Sequence, residues 1–105
     1  MIKTYNKLVR DRIPEIIEES GARCKIEVLN DSDYLKMIDK KLDEELEEYH
    51  EDHSIEELAD LIEVIHSAAL ARGYTLDELE AVRIKKREAR GGFDKKILLI
   101  ETERK

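Results

Sequence analysis

An all-α fold with a small two-stranded β element is what this sequence predicts, and three observations predict it. Charged residues fill 43% of 105 positions and aromatics 5%, with one proline and four glycines, a composition of soluble helices rather than of sheets. Apolar residues recur at helical spacing through two long central windows. Good cap residues, Asn30-Asp31, Ser54 and Thr75, stand before successive helical windows. A chain of this length makes one domain, residues 1–105, whose modest core an oligomer interface would complete.

The opening MIKTYNKLVRDRIPEII places Ile2, Leu8 and Val9 among Lys3, Lys7, Arg10, Asp11 and Arg12, which suits an irregular arm lying over a body. Its cations also read as a solvated edge balancing nearby acids. Pro14 fits the first turn of a short helix through about Glu19, and Gly21 fits its end. Arg23 to Leu29 alternates Cys24, Ile26 and Val28 with Lys25 and Glu27, the period of a strand. The run Ile97 to Ile100 is its expected partner, within the chain or across a subunit boundary.

The first long helix is predicted from Asn30 or Asp31 to about Glu51. At about 100° per residue, Tyr34, Leu35, Ile38, Leu42, Leu46 and Tyr49 share an arc of about 120°. Glu45 falls inside that stripe, Lys41 and Glu48 at its margin, and Glu44 and Glu47 further toward water. A carboxylate on an apolar face is an anomaly, because an unpaired buried charge is costly.

Asp52 to Ser54 make the turn, and a second helix follows from Ile55 to about Arg72. Ile55, Leu58, Leu61, Ile62, Ile65, Ala68 and Ala69 form its apolar arc, which Val64 extends to the flank of Glu57, with Asp60 just beyond the edge and Glu63 toward solvent. Ser54 and Glu57 also spell a capping box, which explains Glu57 and leaves Asp60 without a role. Gly73 ends this helix. Thr75 and Glu78 start a third, through about Ala89, with core marks Leu76, Leu79 and Val82. Its basic end, Arg83 to Arg90, suits the helix dipole, while the Arg90-Gly91-Gly92-Phe93 exit suits a phosphate.

The formal charge of −7 and the lack of a dominant basic block argue against a nucleic-acid partner. Cys24 is the only cysteine, which excludes an internal disulfide and a thiolate zinc cluster. No run approaches membrane-spanning length and no apolar signal core opens the chain, so a cytoplasmic location is expected. His50 and His53 bracket a turn, and His66 projects toward an apolar face; neither pattern reads as a soft-metal set. Among Tyr5, Tyr34, Tyr49 and Tyr74, one could stack on a base, but spacing does not single it out.

The stretch KLDEELEEYHEDHSIEELAD, Lys41 to Asp60, carries the chemistry. Three-residue spacing puts Glu45 with Glu48, and Glu57 with Asp60, on one side of each helix, so four acids face one another across a short turn. Such acids repel and raise one another's pKa unless a cation lies between them. A hard divalent ion on oxygen ligands is the simplest candidate, and magnesium commonly arrives with a phosphate substrate.

Glu44-Glu45-Leu46-Glu47-Glu48 followed by Glu57-Leu58-Ala59-Asp60 resembles the metal signature of the all-α nucleoside triphosphate pyrophosphohydrolases, the superfamily of MazG, phosphoribosyl-ATP pyrophosphohydrolase and the dimeric dUTPases. YNKLVRDRIPEII, EELADLIEVI and KKREARGGF extend the likeness over most of the chain, toward a short single-domain MazG-like branch. Lys86, Arg90 and Phe93 match its K-x-x-x-R-x-x-F pattern. The resemblance implies a helical bundle completed as a homodimer or homotetramer, and magnesium-dependent hydrolysis of a nucleoside triphosphate between its α and β phosphates, including house-cleaning of noncanonical nucleotides. It assigns Glu45, Glu48, Glu57 and Asp60 to magnesium, Glu45 or Glu48 also to orienting the attacking water, and Lys7, Arg10, Lys41, Lys86 and Arg90 to the phosphates. Eight residues separate Glu48 from Glu57, a tighter connection than in typical members. Shared acidic motifs also admit a phosphoribosyl-ATP pyrophosphohydrolase, which the YNKLVRD arm disfavours, or a non-catalytic helical interaction module.

Overall fold

The computed structural model describes residues 1–104. Each long helix starts where a short polar side chain accepts a bond from a free first-turn amide. The Asn30 side chain accepts from the Asp33 amide at 2.8 Å and opens α2, Asp31–Asp52. Ser54 accepts from the Glu57 amide at 3.3 Å ahead of α3, Ile55–Ala71, and Thr75 from the Glu78 amide at 3.0 Å ahead of α4, Leu76–Arg90. A shorter α1, Ile13–Glu19, carries Pro14 in its first turn, where no amide bond is lost. At the end of α3, Gly73 takes φ +90°, and the Tyr74 amide reaches back to the Ala69 carbonyl at 3.0 Å, closing the helix in a Schellman-type turn.

Only His53 and Ser54 lie between α2 and α3, so the two helices fold back along each other as a tight hairpin. Ile38, 4% exposed on α2, and Val64, 8% exposed on α3, are the buried apolar residues among those described. Among the described helices, α4 meets α3 alone. The molecule measures 66 × 31 × 22 Å, with a radius of gyration of 18.6 Å. A compact domain of this length has a radius near 13 Å, so the chain is extended and leaves much of its apolar surface uncovered. Leu46, Leu58, Ile62 and Ile65 all sit on the predicted apolar stripes and are all exposed, because one neighbouring helix covers only part of a stripe this wide. No described helix is long and apolar enough to cross a membrane.

The structure corrects the expected two-stranded element. Among the described residues there is no strand: Arg23 to Leu29 and Ile97 to Ile100 are irregular, with no backbone hydrogen bond between them. Alternation favours an extended conformation, but a strand exists only where a second backbone supplies its hydrogen bonds. Val28 is 90% exposed and Leu98 82%, so neither segment meets such a backbone here.

Candidate functional site

The hairpin aligns the last two turns of α2 with the first two of α3, and this alignment gathers the acids. Oxygens of Glu45, Glu57 and Asp60 lie within 4.8 Å of one another, as do oxygens of Glu44, Glu45 and Glu48. Glu45 belongs to both sets and is the buried charged residue, 7% exposed. Its Oε2 is buried without a hydrogen-bond partner, and so is Oε2 of Glu57. The Glu57 carboxylate returns no bond to the Ser54 amide among the described residues, so the capping box is only half made and does not account for that side chain.

Three cations approach from two directions. Lys41 Nζ lies 3.1 Å from Glu44 and 3.2 Å from Glu45, one helical turn before them. Lys7 reaches Glu44 at 3.2 Å and Arg10 reaches Asp60 at 2.7 Å, both from the N-terminal arm. Five carboxylates against three cations leave a formal excess of two negative charges.

The acids titrate differently as a result. Burial pushes Glu45 above the usual carboxylate range; Lys41 opposes the shift and Glu48 adds to it. Glu57 is raised too, first by desolvation and then by Asp60, Glu45 and Asp52. Glu44 is lowered: burial alone would raise it, but bonds from Lys41 and Lys7 outweigh that. Lys41, against its own desolvation, is raised by the same two glutamates.

Of the predicted site residues, Glu45, Glu48, Glu57 and Asp60 come together, and Lys7, Arg10 and Lys41 join them as counter-charges. Lys86 and Arg90 do not: both are exposed on α4, outside the ion pairs of the described residues. Two residues placed toward solvent by their helical angle take part. Glu44 is half-buried beneath the arm, and Glu63 lines a cavity of about 710 Å³ beside the acids. The arm's LVR run, from which Leu8 and Arg10 both line this cavity, was the available signal that something would lie over that face. His53 packs edge-on against Tyr49, ring centres 5.3 Å apart, as a turn residue.

These residues could hold a small hard cation, since every side-chain ligand among them is a carboxylate oxygen.

No family model matches the chain, and no solved structure does. A stretch of 42 residues is 52% identical to a protein of Mycolicibacterium smegmatis described as uncharacterized, covering 40% of this chain and 43% of that relative.

Proposed function

We propose that this chain is a magnesium-dependent nucleoside triphosphate pyrophosphohydrolase of the MazG-like kind, releasing a monophosphate and pyrophosphate. One observation carries the reading. Glu45 Oε2 is held in a buried, negatively charged convergence of side chains without a hydrogen-bond partner, although Asn30 and Ser54 cap the starts of both helices of the hairpin that holds it there. A purely structural acid cluster gains nothing from such an arrangement, since an unsatisfied buried acceptor costs about 1–3 kcal/mol.

Glu45, Glu48, Glu57 and Asp60 would hold the magnesium. When bound, the ion would neutralise phosphate oxygens and make a coordinated water acidic enough to attack phosphorus. Glu48, grouped with Glu44 and Glu45, would orient that water and take its proton. The new P–O bond forms at the α phosphorus while the bond to the bridging oxygen breaks, and pyrophosphate departs with the electron pair. Lys7, Arg10 and Lys41 exchange carboxylate partners for the phosphate oxygens, whose charge grows in the transition state. Lys86 and Arg90 serve the same purpose from a neighbouring subunit.

A homo-oligomer is supported by the extended shape and by the exposed apolar faces of α3 and α4, which a second copy would cover to complete the bundle. The test is pyrophosphate release from a panel of standard and damaged triphosphates with magnesium. Glu48→Gln and Asp60→Asn should keep the helical circular dichroism and lose the release. Full turnover in both variants rejects the assignment.

A further inference from the structure

We infer that the N-terminal arm is a strap with one releasable end: Arg10 latches it to Asp60, and a divalent cation that takes Asp60 lets this end go while Lys7 keeps the other tied to Glu44. The inference rests on the ion site of the proposed function and adds a moving part to it.

The arm is held by side chains. Residues 1–10 form no helix or strand, and among the described residues a single backbone hydrogen bond reaches them, from the Ile13 amide to the Arg10 carbonyl at 3.0 Å. Lys7 spans 37 residues of sequence to Glu44 on α2, and Arg10 spans 50 to Asp60 on α3. Leu8 and Val9, between these anchors, both line the cavity beside the acids. The strap is therefore pinned to both helices of the hairpin and lies along the cavity they form.

The two anchors respond differently to an ion. Asp60 belongs with Glu45 and Glu57 to the set of acids that bridges the two helices. Within that set Glu45, 7% exposed, supplies a buried oxygen without a hydrogen-bond partner. A cation drawn to these acids takes up the charge of the Asp60 carboxylate and brings two positive charges to the side of the guanidinium that the same carboxylate holds. Like charges so placed repel, and the pair is too open to water to resist, with Arg10 58% exposed and Asp60 37%. Glu44 stands outside the bridging set. Its Oε1 accepts from both Lys7, at 3.2 Å, and Lys41, at 3.1 Å, so this carboxylate keeps its charge and its hold on the arm.

Release at one end has two consequences. It frees a guanidinium next to the ion, where an incoming phosphate meets it, and it loosens Val9 over the cavity. Cation and latch compete for Asp60, so each weakens the other by the same factor. An exposed ion pair holds a two-state arm closed by no more than about five to one.

The experiment is site-resolved labelling of arginines with phenylglyoxal on the full chain, in EDTA and in magnesium that calorimetry shows to be saturating. Arg72, paired with Asp39 at 2.9 Å and comparably exposed, is the internal reference. Magnesium should speed Arg10 labelling about two- to fivefold and leave Arg72 unchanged. A spin label on Val9→Cys, in a Cys24→Ser chain, should grow more mobile with magnesium. Adding Arg10→Gln should make that label mobile in EDTA and indifferent to the ion, and adding Lys7→Gln should free it further in magnesium, all with unchanged helical circular dichroism. Arg10 reactivity and label mobility that ignore magnesium, in a chain that binds it, overturn the strap and leave the ion site standing. A magnesium response that persists in Arg10→Gln, or a Lys7→Gln label no freer in magnesium than with Lys7 in place, overturns it too. Latch release in a chain that frees no pyrophosphate upholds the inference and removes the hydrolase. Absence of magnesium binding overturns both.

Discussion

Replacing Glu45 by glutamine should stabilise the protein without magnesium and destabilise it, relative to the native chain, with magnesium. The Glu45 side chain is 9% exposed and its Oε2 is unbonded, so its charge sits where solvation is poor. Removing an unsatisfied buried acceptor recovers about 1–3 kcal/mol. Against that, the 3.2 Å contact with Lys41 loses its charge but not its acceptor, because the glutamine amide oxygen still takes the bond and Lys41 keeps Glu44, a cost of about 1 kcal/mol. The net gain in EDTA is about 0–2 kcal/mol, up to several degrees in Tm for a domain of this size. With magnesium at a hundred times its Kd, the native chain gains about 2.7 kcal/mol, which a variant lacking a ligand forgoes, so the order of stability reverses. Urea unfolding followed by circular dichroism, in EDTA and in saturating magnesium, reads both signs. A Glu45→Gln variant less stable than the native chain in EDTA would refute the reasoning, because the carboxylate would then be satisfied by the fold itself.

Arg10→Gln should tighten magnesium binding by up to about fivefold, since it removes the competitor for Asp60 while the exposed pair itself is worth at most about 1 kcal/mol; calorimetry with magnesium alone checks it, and weaker ion binding would contradict it. Stability without magnesium should fall as pH rises above the usual glutamate value, about 4.3, because Glu45 and Glu57 bind protons more tightly folded than unfolded. Glu44 has the opposite sign: its contribution is present above that value and is lost as the pH drops below it. Denaturation midpoints across the pH range should therefore slope downward in EDTA on the alkaline side and flatten when magnesium is added. Ile38→Ala should cost about 2–4 kcal/mol, since it empties one of the two best-packed apolar positions, and thermal unfolding measures it.

The helices were legible because their ends are local chemistry. Asn30, Ser54 and Thr75 announce themselves as caps, and each accepts the amide bond that a cap should accept. The gathering of Glu45, Glu48, Glu57 and Asp60 was legible for a similar reason: three-residue spacing and a short turn leave few other arrangements. Glu44 was misplaced because its outward angle is offset by Lys7, 37 residues away, and no helical wheel contains a distant arm. Leu46 was expected inside and is 44% exposed, since a periodic stripe records that a surface is apolar without recording how many neighbours cover it. The strand expectation failed on the same distinction between a segment's local preference and the partner it requires.

The two-residue joint between α2 and α3 works as a phase gauge. His53 holds a left-handed backbone there, φ 56° and ψ 21°, a conformation that costs a residue with a side chain of order 1 kcal/mol and that glycine would adopt more easily. Surface connections ordinarily absorb extra residues without harm. Here a single added residue would shift the angular phase of everything downstream by up to about 100° and turn Glu57 and Asp60 away from Glu45 while every helix stayed folded. Length variation at this joint should thus be the gentlest way to separate integrity of the scaffold from competence of the centre it carries.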